Sequence, residues 1–391
     1  MARFWNIAAG GLLLALSLTL LEQGVEGQWK VDVSGQATIN LGQDREIWRP
    51  LVQTSLSISQ ITSIQSSFQI RTLDPEGVIF YGDTKNGTDW FILSLLDGVP
   101  LMQISRDGSL VSVSGGPRIN DGKWHTLEVS NRGKFVLLNI DGSIGLEVGM
   151  QSSRPEVVDY SNLRLALGGI LIDKEKMIIP FKPRMDGCVR HGSWLNLSAP
   201  WDAEVDELWP CYQNIQPGSY FPGTGFTVFN TSVFPMEEEH SGFTIEMWAD
   251  FSELDGTILS IRSPGQQLMF ALVASNSTKT LMLSFPGEKI IYRENIRKLA
   301  VTFRKDLLQI LRDDDESTIS VIAISPKIQP GYLSMWREGQ LAFGCLLGEG
   351  ELDVCSRFLT GCLKKIQLQG MEMDLDFAKA FTSVSSHSCP V

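Results

Sequence analysis

The sequence is poor in histidine, in positive charge and in helical periodicity, and each shortage excludes something. Four histidines (His125, His191, His240, His387) and no C-x-x-C pair leave little from which to build a zinc site. Lysine and arginine number 33 against 45 aspartates and glutamates, for a net charge of −12. That balance argues against nucleic acid or anionic membrane as the main partner, since both need a basic face. G-x-S-x-G, P-loop and dinucleotide fingerprints are absent, and His125 has no serine or cysteine partner identifiable from spacing. Neither an enzyme nor a catalytic cofactor is expected. After residue 27 no apolar run is long enough to span a bilayer.

What is present points outward from the cell. Residues 1–27 read as a secretory signal: Arg3, then the apolar core IAAGGLLLALSLTLL, then small residues at Gly24 and Gly27. A signal anchor is the rival reading, but the core falls short of the roughly 20 apolar residues a spanning helix needs. Six cysteines follow the signal. Their order suggests Cys188 with Cys211, Cys362 with Cys389, and Cys345 with Cys355. The first two pairs each close a loop of about 25 residues, worth roughly 3 kcal/mol in the chain-entropy model. Four N-x-S/T sequons, at Asn86, Asn196, Asn230 and Asn276, predict glycosylation of at least one.

With 391 residues and a 43% apolar fraction, the chain has material for two or three packed domains. Strand patterns dominate. SSFQIRTL, GVIFYGD, DWFILSLLDG, LMQISRDG, HTLEVSN and KFVLLNIDG alternate or run apolar between Gly, Asp and Asn turns. Residues 200–208 and DLDFAKAF are the short helical candidates. The pattern then recurs in order, offset by about 175 residues. SSFQIRTLDPEGVIF at 66–80 resembles SGFTIEMWADFSELDGTIL at 241–259, and LRLALGGIL at 163–171 resembles GQLAFGCLL at 339–347. The expected architecture is all-β: two tandem antiparallel β-sandwiches, residues 28–215 and 216–391.

The run F-x-IRT, GVIFYGD, DGKWHTLEV, LLNIDG, LALGG and DGC resembles a laminin G-like (jelly-roll) module. Two such modules behind a signal resemble the sex hormone-binding globulin family, over about residues 40–391 and more closely in the first module. The resemblance implies a secreted homodimer in blood plasma. It would carry androgens and oestrogens (testosterone, dihydrotestosterone, oestradiol) inside the first sandwich. A steroid is a rigid apolar plate with a polar group at each end, so it needs an apolar slot with a hydrogen-bonding residue at each end.

Carried onto this chain, the resemblance makes Ser66 the partner of the A-ring oxygen and Asp89 the acceptor of the D-ring hydroxyl. Phe91 packs against the rings. Period two puts Phe91 on the face of Asp89 and Trp90 on the other. Arg106 stands where the family has an asparagine. It could pair with Asp89, bond the steroid or face water. Val129, Asn131, Val136, Val148, Leu163, Leu165 and Leu195 complete the wall, although each apolar one also reads as ordinary core. The resemblance further implies a structural calcium at Asp74 and Glu76 with the Arg184 backbone oxygen; a solvated turn is the plainer reading of DPEG. Asp107 and Tyr160 occupy the places of the family's accessory zinc histidines, so no such zinc is expected. The alternative function is a calcium-dependent adhesion or receptor-ligand module that binds protein or glycan.

Overall fold

The computed structural model describes residues 29–31, 37–60, 65–84, 87–132, 135–149, 162–195, 200–204, 208–234, 242–263, 267–285, 288–293, 296–304, 308–313, 319–324, 338–348 and 355–391. The signal segment, Asn86, Asn196 and Tyr160 lie outside these residues. No helix among them is long and apolar enough to cross a membrane.

The first module is two antiparallel sheets face to face. One runs β1 (Trp29–Val31), β14 (Trp201–Ala203), β3 (Val52–Ser57), β12 (Asn162–Leu167), β5 (Gly77–Thr84), β6 (Asp89–Leu96), β7 (Val99–Arg106), β8 (Ser109–Ser114). The other runs β11 (Ser143–Gly149), β10 (Phe135–Ile140), β9 (His125–Arg132), β4 (Ser66–Thr72), β13 (Gly187–Ser193), β2 (Thr38–Asn40). Alternation sends Phe68, Ile70, Leu93, Leu95, Met102, Leu127 and Leu138 into the space between the sheets. Tyr81, Trp90 and Ile92 point the other way, into an outer cluster covered by Ile170 and Phe181. The expected opposition of Phe91 and Trp90 is therefore present.

The second module repeats the plan. Its sheets place Gly256–Arg262, Leu268–Ser275 and Thr280–Phe285 side by side, and Phe243–Trp248 between Lys298–Phe303 and Lys365–Leu368. Gly344 donates to the Ile258 carbonyl just as Gly168 donates to that of Ile79, so the repeat extends to single hydrogen bonds. The chain enters this module through Ile215–Pro217, which pairs with Ser388–Pro390. The disulfides are Cys188–Cys211, Cys345–Cys355 and Cys362–Cys389, as order suggested.

Both helical candidates are corrected over their described residues; 205–207 of the first lie outside them. Trp201–Ala203 is a strand that pairs with β1 and β3. In DLDFAKAF only Leu375–Phe377 winds, as a single 3-10 turn; Asp374 accepts from the Asp376 amide, and Ala380–Thr382 returns to a sheet. Sheet pairing overrides weak local propensity in such short segments.

The modules meet through polar groups. Asp186 of the first accepts the His387 and Ser388 amides of the second, each at 3.0 Å. Asp44 accepts the Ser383 amide and hydroxyl. Lys182 pairs with Asp374, and the Arg184 guanidinium stacks 4.0 Å over the Phe381 ring.

Candidate functional site

Burial within the first sandwich is graded. At one end Ile70, Leu95 and Leu127 are sealed. Toward the other end Phe91, Val111, Val113, Val136 and Leu163 are only partly buried, although they belong to the same apolar cluster. The sandwich is thus open at the end where β6 and β12 begin and β7 finishes. Beneath lies an aromatic floor: Trp194 stacks on Phe68 with centroids 4.9 Å apart, and Phe80 meets both Trp194 and Phe91.

Register ties the wall residues together. On one sheet Gly82 pairs with Phe91 and with Leu165, and Phe91 pairs with Ile104. Leu163 lies one step further out, opposite Leu56. On the facing sheet Ser66 pairs with Val129, Val129 with Leu138, and Val136 with both Asn131 and Val148. Asn131 is exposed at the rim. Leu195 is buried beside Ser66, and its amide donates to Ser66 Oγ at 3.3 Å. Its backbone is left-handed, φ 55°, a costly conformation for a side chain of this size.

Ser66 and Asp89 differ in setting. Ser66 is 1% exposed and on the inner face. Its oxygen accepts from Leu195, and its own proton has no acceptor among the described residues. A buried donor without a partner is costly unless something supplies one. Asp89 begins β6, opposite Thr84, and shares the inward face of Phe91. The Asp107–Gly108 turn, with φ 49° and 81°, brings the Asp107 amide within 2.9 Å of Asp89 Oδ1. This bond orients the carboxylate. Arg106 closes β7 on the same inward face, and its Nε lies 4.0 Å from Asp107 Oδ2.

The spacing pattern did not single out Gly82. A Cβ added there would lie 2.5 Å from Phe91 Cε1 and 3.1 Å from Leu165 Cδ2. Its absence is what lets the Phe91 ring lean across β5. The signal was available: one glycine inside the apolar strand GVIFYGD, where a glycine often marks a close approach. In the second module the equivalent position is Ile261, paired with Leu341 and Phe270, and both Ile261 and Phe270 are fully buried.

The first module matches the Laminin G domain family over residues 70–199. Human sex hormone-binding globulin is 30% identical over 346 residues, covering 87% of this chain and 84% of the relative. The chain belongs to the sex hormone-binding globulin family. The rat sex hormone-binding globulin is 31% identical over 352 residues, with the same coverage. Mouse growth arrest-specific protein 6 is 31% identical over 374 residues, but only 54% of that protein is covered. Among solved structures, mouse laminin alpha1 chain domains LG4-5 superpose with a TM-score of 0.60 at 18% identity, covering 94% of this chain and 99% of that one. This last likeness shows the fold. Sex hormone-binding globulins are not enzymes, and neither is this chain.

The implied calcium residues have hard oxygen chemistry that suits the ion. The Arg184 carbonyl closes on the same turn, since a Cβ at Gly77 would lie 2.4 Å from it. Asp74 is buried; its Oδ1 accepts from the Glu76 amide and its Oδ2 from the Asp186 amide. Glu76 accepts from the Lys182 amide at 3.0 Å.

The second module adds a histidine to this corner. His387 Nε2 lies 3.3 Å from Asp376 Oδ2, 3.5 Å from Asp74 Oδ1 and 3.7 Å from Asp374 Oδ1. Burial would lower the imidazole pKa, but Asp74, Asp376 and Asp374 outweigh it and push it up to about 10. Burial raises Asp74 well above the usual carboxylate range. Asp376 is also buried, yet its bond to His387 and that cation's charge hold it below that range. The cluster thus carries an imidazolium faced by Asp74, Asp376 and Asp374.

Proposed function

We propose that this chain is a secreted carrier that holds a sex steroid, androgen or oestrogen, between the two sheets of its first module. The observation that carries the reading is the buried Ser66 hydroxyl, whose proton has no acceptor among the described residues, on the inner face of one sheet, with the Asp89 carboxylate on the inner face of the other. Ser66 donates to a ketone or hydroxyl on the A ring, and Asp89 accepts from a hydroxyl on the D ring. Phe91, Val129, Val136, Val148, Leu163, Leu165 and Leu195 cover the plate. Asn131 and Arg106 stand at the rim. Burial at roughly 25 cal/mol per Å² supplies most of the affinity. A nanomolar complex corresponds to about −12 kcal/mol. For a ligand of about 20 heavy atoms that is about 0.6 kcal/mol per atom, within the usual ceiling.

The relatives named for sex hormone binding support this reading. The steroid belongs to the first module in this reading; at the place of Gly82 the second module has a fully buried Ile261, which leaves no room for a ring to lean across its strand as Phe91 does. Calcium at Asp74, Glu76 and the Arg184 carbonyl belongs to the same proposal as a structural ion. So does glycosylation; Asn276 is exposed on a turn. So does a homodimer. β8 and β11 end their two sheets on one flank and carry exposed Leu110 and Ile144. Such open edges invite pairing with a second copy.

Equilibrium dialysis with labelled dihydrotestosterone tests the function. Saturable binding at one steroid per chain is expected. Ser66→Ala is expected to weaken it by about tenfold, the worth of roughly one buried hydrogen bond. No saturable binding, with or without a calcium chelator, would favour the adhesion-module alternative instead.

A further inference from the structure

We propose that the pair of the buried Asp83 with the half-buried Arg164, together with the Tyr81 hydroxyl, is a positioning device that sets the β5–β6 hairpin so that Asp89 faces the slot. The inference rests on the reading of Asp89 as a ligand acceptor. Asp83 lies on the face of β5 that points away from the slot, and its side chain is fully buried. Arg164 Nε donates to Asp83 Oδ1 at 2.7 Å, while a second guanidinium nitrogen reaches Oδ2. The Tyr81 hydroxyl donates to Oδ2 at 2.5 Å. Both carboxylate oxygens are therefore taken, in a forked geometry that admits one arrangement.

The surroundings show what this bolt holds. Asp83 pairs in register with Trp90 and with Arg164, and the next pair, Thr84 with Asp89, closes the hairpin. The Gly87 amide donates to the Thr84 carbonyl, and Lys176 Nζ reaches the Gly87 carbonyl at 3.4 Å. Ile172 Cγ2 lies 2.6 Å from where a Cβ on Gly87 would be. The segment that carries Ile170, Ile172 and Lys176 thus presses on the hairpin from outside, over Asp83 and Trp90. Asp89 projects from the opposite face.

Stability alone does not explain an ion pair in this place. A pair with one fully buried partner must first repay that partner's desolvation, and apolar residues of equal size commonly do as well. The neighbours Trp90, Ile92 and Ile170 already form an apolar cluster that could absorb them. A fork of fixed geometry offers register and orientation instead. A ligand-bonding carboxylate needs this, because its own bond depends on a few tenths of an ångström set by the residues behind it.

The test uses the full chain and two ligands: dihydrotestosterone, and its analogue without the D-ring hydroxyl. Dissociation constants are measured for the wild type, Asp89→Ala, Asp83→Asn, Tyr81→Phe and the double variant Asp83→Asn with Asp89→Ala. Asp83→Asn is expected to weaken dihydrotestosterone by about tenfold and the analogue by less than about twofold, with the double variant no weaker than Asp89→Ala. If Asp83→Asn does not fold, Tyr81→Phe carries the test with the same selectivity at about threefold. Equal losses for both ligands, or additive losses in the double variant, would overturn the positioning role alone. An Asp89→Ala variant that treats both ligands alike would overturn the steroid assignment of Asp89, and this inference with it.

Discussion

Replacing Asp89 with alanine is expected to weaken binding of a steroid with a D-ring hydroxyl by about 10- to 100-fold. The lost interaction is a hydroxyl donating to a carboxylate, the stronger class of hydrogen bond. The fold should not suffer. Asp89 is only partly buried, at a strand start, and its bond to the Asp107 amide lies near the surface. Two measurements check this: the dissociation constant, and the thermal midpoint without ligand. A variant with unchanged affinity would show that the carboxylate faces water rather than the ligand. Arg106 adds a second expectation about the same rim. As a cation on the inward face it attracts the Asp89 carboxylate, so lowering salt should not loosen the site.

Replacing His387 with alanine is expected to cost about 3 kcal/mol of stability, because it takes from the buried Asp376 carboxylate the cation bonded to it. The measurement is the urea midpoint of the full chain with a calcium chelator present, which keeps an added ion from substituting for the imidazolium. The pH dependence has a definite sign. In the folded protein the imidazole pKa is raised to about 10; in the unfolded chain it is near 6.5. The stabilisation is therefore complete below about pH 6.5 and is lost as pH rises through about 10. The wild type should lose its margin over His387→Ala across that window, and a second change, Asp376→Asn, should recover part of the loss. A margin below about 0.5 kcal/mol at pH 6 would mean that the cluster does not hold the modules together.

Much of the fold is legible in the sequence alone. Alternation in FQIRT, GVIFYGD and DWFIL places Phe91 and Trp90 on opposite faces, and they lie in separate clusters. The tandem repeat and the three disulfides also follow from order along the chain. The helical readings of 200–208 and DLDFAKAF failed because short segments take the structure of the sheet they join. Gly82 went unread because its meaning lies in a ring from another strand. Arg164 and Asp83 are 81 residues apart, and no spacing rule links them.

Two sandwiches follow from local chemistry. A strand's period of two and its turn residues are properties of a few neighbouring residues, and they repeat wherever the pattern repeats. Which end of the first sandwich stays open, and what each buried carboxylate meets, depends on segments far apart in the chain. Asp74 shows the difference. On the DPEG turn it reads as a calcium ligand or a solvated aspartate, whereas in the fold it is buried against the second module's His387, 3.5 Å away. Charges respond to whatever packing brings within a few ångströms, and only the folded chain sets that distance.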